Sequence, residues 1–199
     1  MTEVLMIIAP GVEEIESLAV GDVLVRAGLS VTLASGQDLT LRGSRNLPLA
    51  ADCLLDETVL NRSWDLVYLP GGVRQANFCR DDARVQKILK QRLDAKAPTA
   101  IMCASPLSLL PLGLARGRRL TSHPEVREQF AGHCLSWVDD PVVRDGSLWT
   151  SQGPGTAIQF GLCLAAFFAG QQIAEKVAKA MLFDPVWTCD EQLLQGIPQ

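Results

Sequence analysis

Short runs of continuous apolar residues alternate along the chain with longer stretches in which apolar positions recur at helical spacing. Continuous apolar runs are typical of strands that are buried on both faces of a parallel sheet. Such runs predict strands at 4–9, 31–34, 65–69 and 99–102. Because these strands alternate with helical stretches, we predict an α/β fold with helices on both faces of a mostly parallel sheet.

Helical periodicity predicts a first helix over residues 14–27, which Gly28 would end. Further helices are predicted over 83–93, before Gly170, and over 173–182. Paired apolar segments flank the turns at Gly43-Ser44 and Asp145-Gly146, and they predict two hairpins, 39–49 and 142–149. The last residues have no periodicity. We predict one domain over residues 1–199, with a core at about 4–182 and a tail, 183–199, of unassigned role.

The ends of the predicted strands carry the candidate chemistry, because ligands of open α/β sheets bind at the carboxyl ends of the strands. Cys103 follows the strand 99–102, and Pro106 suits the first turn of a helix. A thiol at a helix N-terminus would have a lowered pKa and would be reactive. Inert packing is the alternative, since cysteine is among the most buried residue types.

Other candidates have both a functional and a structural interpretation. Gly71 and Gly72 offer consecutive backbone N–H groups for an oxyanion, or they form an ordinary tight turn. Charged residues at the start of the first helix are usually exposed, but Glu16 would be drawn inward if Ile15 and Leu18 are buried. Burial would raise the pKa of Glu16 and make it a proton donor to a thiolate. His123 is a further candidate site residue, and an ordinary position in a surface loop is the alternative.

Composition excludes several classes of function. Net charge is −4 and the sequence pI is about 5.2, so a nucleic acid or an anionic membrane is not expected as a partner. The first residues lack the basic region of a signal peptide, and no apolar run has the length of a membrane span. The six cysteines show no CxxC pair and no metal-ligand spacing. We therefore expect a cytoplasmic protein with reduced thiols and no metal site.

The chain resembles the ThiJ/PfpI superfamily, in the branch that contains Parkinson disease protein 7 and bacterial YajL. The motifs that carry the resemblance occur in the family's order: VLMIIAPG with EEIE, RAG, SR, LPGG, AIMCASP, TSHP and SQGPGT. The resemblance implies a flavodoxin-like three-layer sandwich, a homodimer and chemistry that needs no cofactor. It also implies that a protonated Glu16 contacts a nucleophilic Cys103, with His123 nearby. The remaining matching residues would hold an oxyanion or anion, with Asp22 in support: Gly71, Gly72, Ala104, Arg45 and Arg26.

Three functions stay open on these residues. The first is a glyoxalase or deglycase of the carbonyl-stress response, acting on small α-dicarbonyls such as methylglyoxal or on their adducts. The second is a redox-sensing chaperone in which Cys103 oxidises to a sulfinate. The third is a cysteine hydrolase or amidase, which is disfavoured because Ala104 stands where protease-like members carry histidine. Ser105 also departs from the family pattern, and we expect it to place a hydroxyl at the mouth of the site.

Overall fold

A seven-stranded sheet forms the middle layer of the fold. The computed structural model describes residues 1–183, so the predicted tail from residue 184 onward lies outside the described residues. The strands of this sheet are β1 (Glu3–Ile8), β2 (Ser30–Ser35), β5 (Cys53–Leu54), β6 (Leu66–Leu69), β7 (Thr99–Met102), β10 (Val142–Asp145) and β11 (Leu148–Ser151). Two small two-stranded sheets pair β3 (Thr40–Arg42) with β4 (Pro48–Ala50) and β8 (Arg119–Leu120) with β9 (Ser136–Trp137).

The helices cover both faces of this sheet. They are α1 (Glu14–Arg26), α2 (Glu57–Asn61), α3 (Val73–Asp81), α4 (Ala83–Asp94), α5 (Ala157–Ala169) and α6 (Gln171–Ala180). The strand order is β10-β11-β7-β6-β1-β2-β5, and every pair is parallel except β10 with β11. The order of β2, β1, β6, β7 and β11 is the 2-1-3-4-5 order of flavodoxin-like folds. The predicted fold class is confirmed.

The core has two parts, one on each face of the sheet, and β1 belongs to both. Val4, Met6 and Ile8 pack on the side of α1 and α5, while Leu5 and Ile7 pack on the side of α4. Because side chains alternate between the faces of a strand, a strand covered on both faces is apolar at every position. This is why the apolar runs predicted the central strands.

Helix α1 has the opposite orientation from the one expected. Ile15 and Leu18 are 54% and 51% exposed, whereas Glu13, Glu14 and Glu16 are buried. The prediction that buried Ile15 and Leu18 draw Glu16 inward is therefore wrong. The acids are buried because each carboxylate of Glu13, Glu14 and Glu16 accepts a backbone N–H.

Two other local predictions need correction. Helix α3 was not predicted, since its sequence, VRQANFCRD, is short and mostly polar. After Cys103 the chain forms a 3-10 helix of five residues, Ser105–Leu109, instead of an α-helix, and all five residues are buried. Among residues 1–183, no helix is both long enough and apolar enough to cross a membrane.

Candidate active site

Cys103 lies on a strained turn at the carboxyl end of β7. Its φ is 62°, in the left-handed region that residues other than glycine rarely adopt. Two backbone hydrogen bonds hold the turn: Cys103 N–H donates to Ser151 O at 2.9 Å, and His123 N–H donates to Cys103 O at 2.8 Å. A non-glycine residue in this region costs about 1–3 kcal/mol and is concentrated at functional sites. The backbone therefore has the geometry of a nucleophile elbow.

Glu16 extends from the first turn of α1 toward the same strand ends. Glu13 caps the helix, since its Oε2 accepts from Glu16 N–H at 2.8 Å. The Glu16 side chain is fully buried, and its Oε2 accepts from Gly71 N–H at 2.6 Å. The hydroxyl of Tyr68 donates to the Glu16 carbonyl at 2.9 Å. Tyr68 and Gly71 thus hold the backbone carbonyl and the carboxyl group of Glu16 in place.

The carboxyl of Glu16 and the thiol of Cys103 meet at Gly71. A methyl group added to Gly71 would lie 2.5 Å from Glu16 Oε2 and 2.9 Å from Cys103 Sγ. Only glycine therefore fits between the two groups. Glu16 Oε1 has no hydrogen-bond partner among the described residues, so it is available to the thiol beside it.

Burial raises the pKa of Glu16 from 4.5 to about 7, against the lowering effect of Cys103 and Gly71. Burial also raises the pKa of the Cys103 thiol, and the charge of an ionised Glu16 raises it further. The prediction of a lowered thiol pKa is thus wrong, because burial outweighs the N–H groups of Gly72 and Ala104. When Glu16 is protonated, its charge no longer raises the thiol pKa. The pair therefore carries one negative charge more easily than two.

The backbone N–H groups near the sulfur have different tasks. Those of Gly72 and Ala104 interact with Cys103 and favour its thiolate. The N–H of Gly71 is not available to an oxyanion, since it already donates to Glu16. Ser105 is fully buried and donates its hydroxyl to Pro70 O at 2.6 Å, so the prediction of a hydroxyl at the mouth is wrong.

A pocket of about 350 Å³ opens above Cys103. His123 and Arg45 line it, as do Cys103, Gly72 and Ala104. The Nδ1 atom of His123 accepts from Glu125 N–H at 3.3 Å, so this ring nitrogen caps the next turn.

Glu14 is a further residue on which this site depends, because it holds the turn that carries Arg45. The carboxylate of Glu14 accepts from the backbone N–H of Arg45 at 2.8 Å and from the hydroxyl of Ser44 at 3.0 Å. Glu14 is one of the acids that the sequence predicts to be exposed at the start of the first helix, and no sequence pattern marked Tyr68 as a site residue. A run of acids at the start of a helix that follows a buried strand is the signal that could have identified Glu13 and Glu14.

The structure does not bring Arg26 and Asp22 to this pocket. They lie on the exposed side of α1 and pair with each other, with Arg26 Nε 2.6 Å from Asp22 Oδ2. Arg26 is ten residues beyond Glu16, which is about 15 Å along a helix. Within the part of the chain that the structure describes, no three potential metal ligands of the His, Cys, Asp or Glu type lie together.

Fold and site together define a class of protein: a flavodoxin-like α/β sandwich with a cysteine on a strained strand-to-helix turn and a buried acid beside it. The chain belongs to the DJ-1/PfpI family, whose profile matches residues 2–166.

Individual relatives agree with this assignment. Protein dj-1beta of Drosophila melanogaster is 39% identical over 181 residues, which are 89% of this chain and 95% of the relative. The crystal structure of Drosophila melanogaster DJ-1beta matches with a TM-score of 0.86 and 37% identity, over 92% of this chain and 98% of that one. A relative from Caenorhabditis elegans named glutathione-independent glyoxalase DJR-1.2 is 29% identical, over 85% of this chain and 89% of the relative.

Proposed function

We propose that the protein is a cofactor-free enzyme of the carbonyl-stress response that converts small 2-oxoaldehydes such as methylglyoxal to 2-hydroxy acids. The observation that carries the proposal is the meeting of Cys103 and Glu16 at Gly71, with Cys103 lining an open pocket. The relative named as a glutathione-independent glyoxalase supports the same chemistry. Action on adducts of these aldehydes, of the deglycase type, would use the same residues.

The mechanism follows from the two side chains. The Glu16 carboxylate takes the proton of the Cys103 thiol as the sulfur adds to the aldehyde carbon, and it then gives this proton to the aldehyde oxygen. The Glu16 carboxylate then removes the hydrogen of that carbon as a proton and returns it to the neighbouring carbon, while the hydroxyl proton of the first carbon passes to the oxygen of the second. This leaves a 2-hydroxyacyl thioester on Cys103, which water hydrolyses to the hydroxy acid and the free thiol. A pKa of about 7 lets one carboxyl act in turn as base and as acid near neutral pH.

The N–H groups of Gly72 and Ala104 are the candidates for stabilising the oxyanion, because they already face the sulfur. His123 and Arg45 line the pocket, and we propose that they contact the substrate beyond its reacting carbons.

The test is lactate formation from methylglyoxal without glutathione. The wild-type protein is expected to form lactate at least about 100 times faster than Cys103→Ala, since nucleophile and acid–base contributions are of this order or larger. Glu16→Gln should also be strongly impaired, because an amide cannot take up the proton. Cys53→Ala is the matched control, since Cys53 is a half-buried thiol on the edge strand β5. Equal rates for wild type and Cys103→Ala would refute the enzymatic function.

Redox sensing is the second candidate, and the N–H groups of Gly72 and Ala104 favour it because they would also hold a sulfinate. Two molecules of peroxide would convert the thiolate to a sulfinate and two molecules of water. Intact mass and peptide mapping after peroxide treatment test this function. Selective addition of two oxygens to Cys103 supports it, and equal oxidation of Cys53 and Cys134 counts against it.

We also propose that the protein is a homodimer that pairs through α1. Ile15, Leu18 and Val25 are more than half exposed and lie on one stripe of that helix, which would leave apolar surface in water in a monomer. Light scattering on a sizing column should give the mass of a dimer. Leu18→Glu should shift it toward the monomer, whereas a monomeric wild-type protein would contradict the proposal.

A further inference from the structure

Arg74 lies among the residues that line the reaction pocket. It is in the first turn of α3, two residues after Gly72. Its side chain packs across Gly11: a methyl group added there would lie 2.5 Å from Arg74 Cβ and 3.1 Å from Arg74 Cδ. Because Gly11 has no side chain, the aliphatic part of Arg74 can lie flat against the loop after β1.

Arg45 and Arg74 approach the same pocket from different elements. Arg45 comes from the turn between β3 and β4, and Arg74 from α3. Among residues 1–183, neither guanidinium has a hydrogen-bond or ion-pair partner. Arg84, in contrast, pairs with Asp82, and Arg92 donates to backbone carbonyls. Within the described residues, two arginines without an ion-pair partner thus line one pocket, although the net charge of the protein is −4.

Two acids also line the pocket, but neither neutralises these arginines. The Glu13 carboxylate is buried and occupied as the cap of α1. The Glu125 side chain is 84% exposed, and its Oε2 lies 3.7 Å from His123 Nδ1. Neither acid forms an ion pair with Arg45 or Arg74 within the described residues. As far as residues 1–183 are concerned, the two guanidinium groups are therefore available to an anionic ligand.

We propose that the preferred substrate is a 2-oxoaldehyde with a carboxylate at its far end, and that Arg74, together with Arg45, binds this carboxylate. The inference rests on the proposed function, since it takes Cys103 as the site of attack on the aldehyde. A guanidinium binds a carboxylate through two parallel N–H bonds, which gives direction as well as charge. A volume of about 350 Å³ also leaves room for a substrate longer than methylglyoxal.

The overall reaction is the addition of one water: R–CO–CHO becomes R–CH(OH)–COO⁻ and a proton. The bond between sulfur and the aldehyde carbon forms and is later cleaved by water. The hydrogen of the aldehyde carbon moves as a proton to the neighbouring carbon, and no oxidant or reductant is consumed. The distant carboxylate takes no part in these steps, so Arg74 is a specificity-determining residue.

The experiment compares 4,5-dioxopentanoate with its neutral methyl ester. The wild-type protein should have the larger kcat/KM for the acid, and Arg74→Met should reduce the ratio of acid to ester roughly five- to tenfold, which is the effect expected of one partly exposed charged contact. Arg116→Met removes a positive charge from an exposed position outside the pocket, so it should leave the ratio unchanged. An unchanged ratio in Arg74→Met would overturn the proposal.

Binding of levulinate separates this inference from the proposed function. Levulinate has the ketone and the carboxylate of the substrate but no aldehyde, so it cannot react with Cys103. Calorimetric titration should show binding to wild type that weakens about fivefold or more in Arg74→Met and is retained in Arg116→Met. This result would support the anion site even if no oxoaldehyde were converted. Turnover of both substrates with levulinate binding unaffected by Arg74→Met would overturn the anion site and leave the proposed function intact.

Discussion

The unfolding free energy of Glu16→Gln, relative to that of the wild type, should increase as the pH rises. In the folded protein, burial raises the pKa of Glu16 from 4.5 to about 7. Between these values the folded state holds a proton that the unfolded chain has released. The free energy of unfolding of the wild type therefore falls as pH rises through this interval, and the loss is complete above the folded pKa. Glutamine does not ionise, so the unfolding free energy of the variant does not fall in this interval.

The size of the effect follows from the two pKa values. Raising a pKa from 4.5 to about 7 corresponds to roughly 3 kcal/mol, of which about 2.5 kcal/mol develops between pH 5 and pH 8. The assay is urea unfolding followed by circular dichroism at several pH values in this range. The unfolding free energy of Glu16→Gln minus that of wild type should increase by about this amount, with equal m values.

Glu14→Gln is the matched control for this experiment. Burial raises the pKa of Glu14, but the hydrogen bonds from Arg45, Leu47 and Ser44 outweigh it, and the net pKa is lowered. Glu14 therefore titrates below pH 5 in both states, and its substitution should change stability by the same amount from pH 5 to pH 8. A difference between Glu16→Gln and wild type that is flat, or that shrinks with pH, would refute the assignment of a buried acid with a raised pKa.

Three further substitutions test the way in which the site is held together. Gly71→Ala should abolish lactate formation, because a methyl group would overlap both Glu16 and Cys103; activity comparable to wild type would contradict that packing. Ser105→Ala should lower the unfolding free energy by about 1–3 kcal/mol in urea titrations, since the Pro70 carbonyl loses its buried donor. Tyr68→Phe should destabilise by a similar amount and reduce kcat, because the carbonyl of Glu16 loses its donor, whereas unchanged values for both would mean that Tyr68 does not position Glu16.

The sequence predicted the central sheet well because burial on both faces of the sheet imposes one simple pattern on its strands. A strand covered on both faces must be apolar throughout, so the run 99–102 coincided with β7. The same reasoning could not find α3, whose few buried residues lie among polar ones. It also predicted a helix after Cys103, where five buried residues form a 3-10 helix instead. Local propensity does not decide between these two helix types when tertiary packing covers the segment.

The site was predictable as a set of strand ends but not in its details. The carboxyl ends of parallel strands meet at one edge, which brings Cys103 and Gly71 together whatever the side chains are. The pairing of hydrogen-bond donors with acceptors in the site depends on contacts between residues that are far apart in the chain. The hydrogen bond from Gly71 to Glu16 joins residues 55 positions apart, and that from Ser105 to Pro70 joins residues 35 apart. No local pattern encodes such pairs, and Arg74 was missed for the same reason.

The most direct test of the central claim, that Cys103 forms a covalent intermediate with the oxoaldehyde, is to trap the thioester. Hydroxylamine present during turnover of methylglyoxal cleaves a lactoyl thioester to lactohydroxamate, which mass spectrometry distinguishes from the oxime of free methylglyoxal. Lactohydroxamate is expected with the wild-type protein, and none is expected with Cys103→Ala. Lactohydroxamate formed equally by the two proteins, or lactate formed by the wild type with no lactohydroxamate trapped, would contradict the claim.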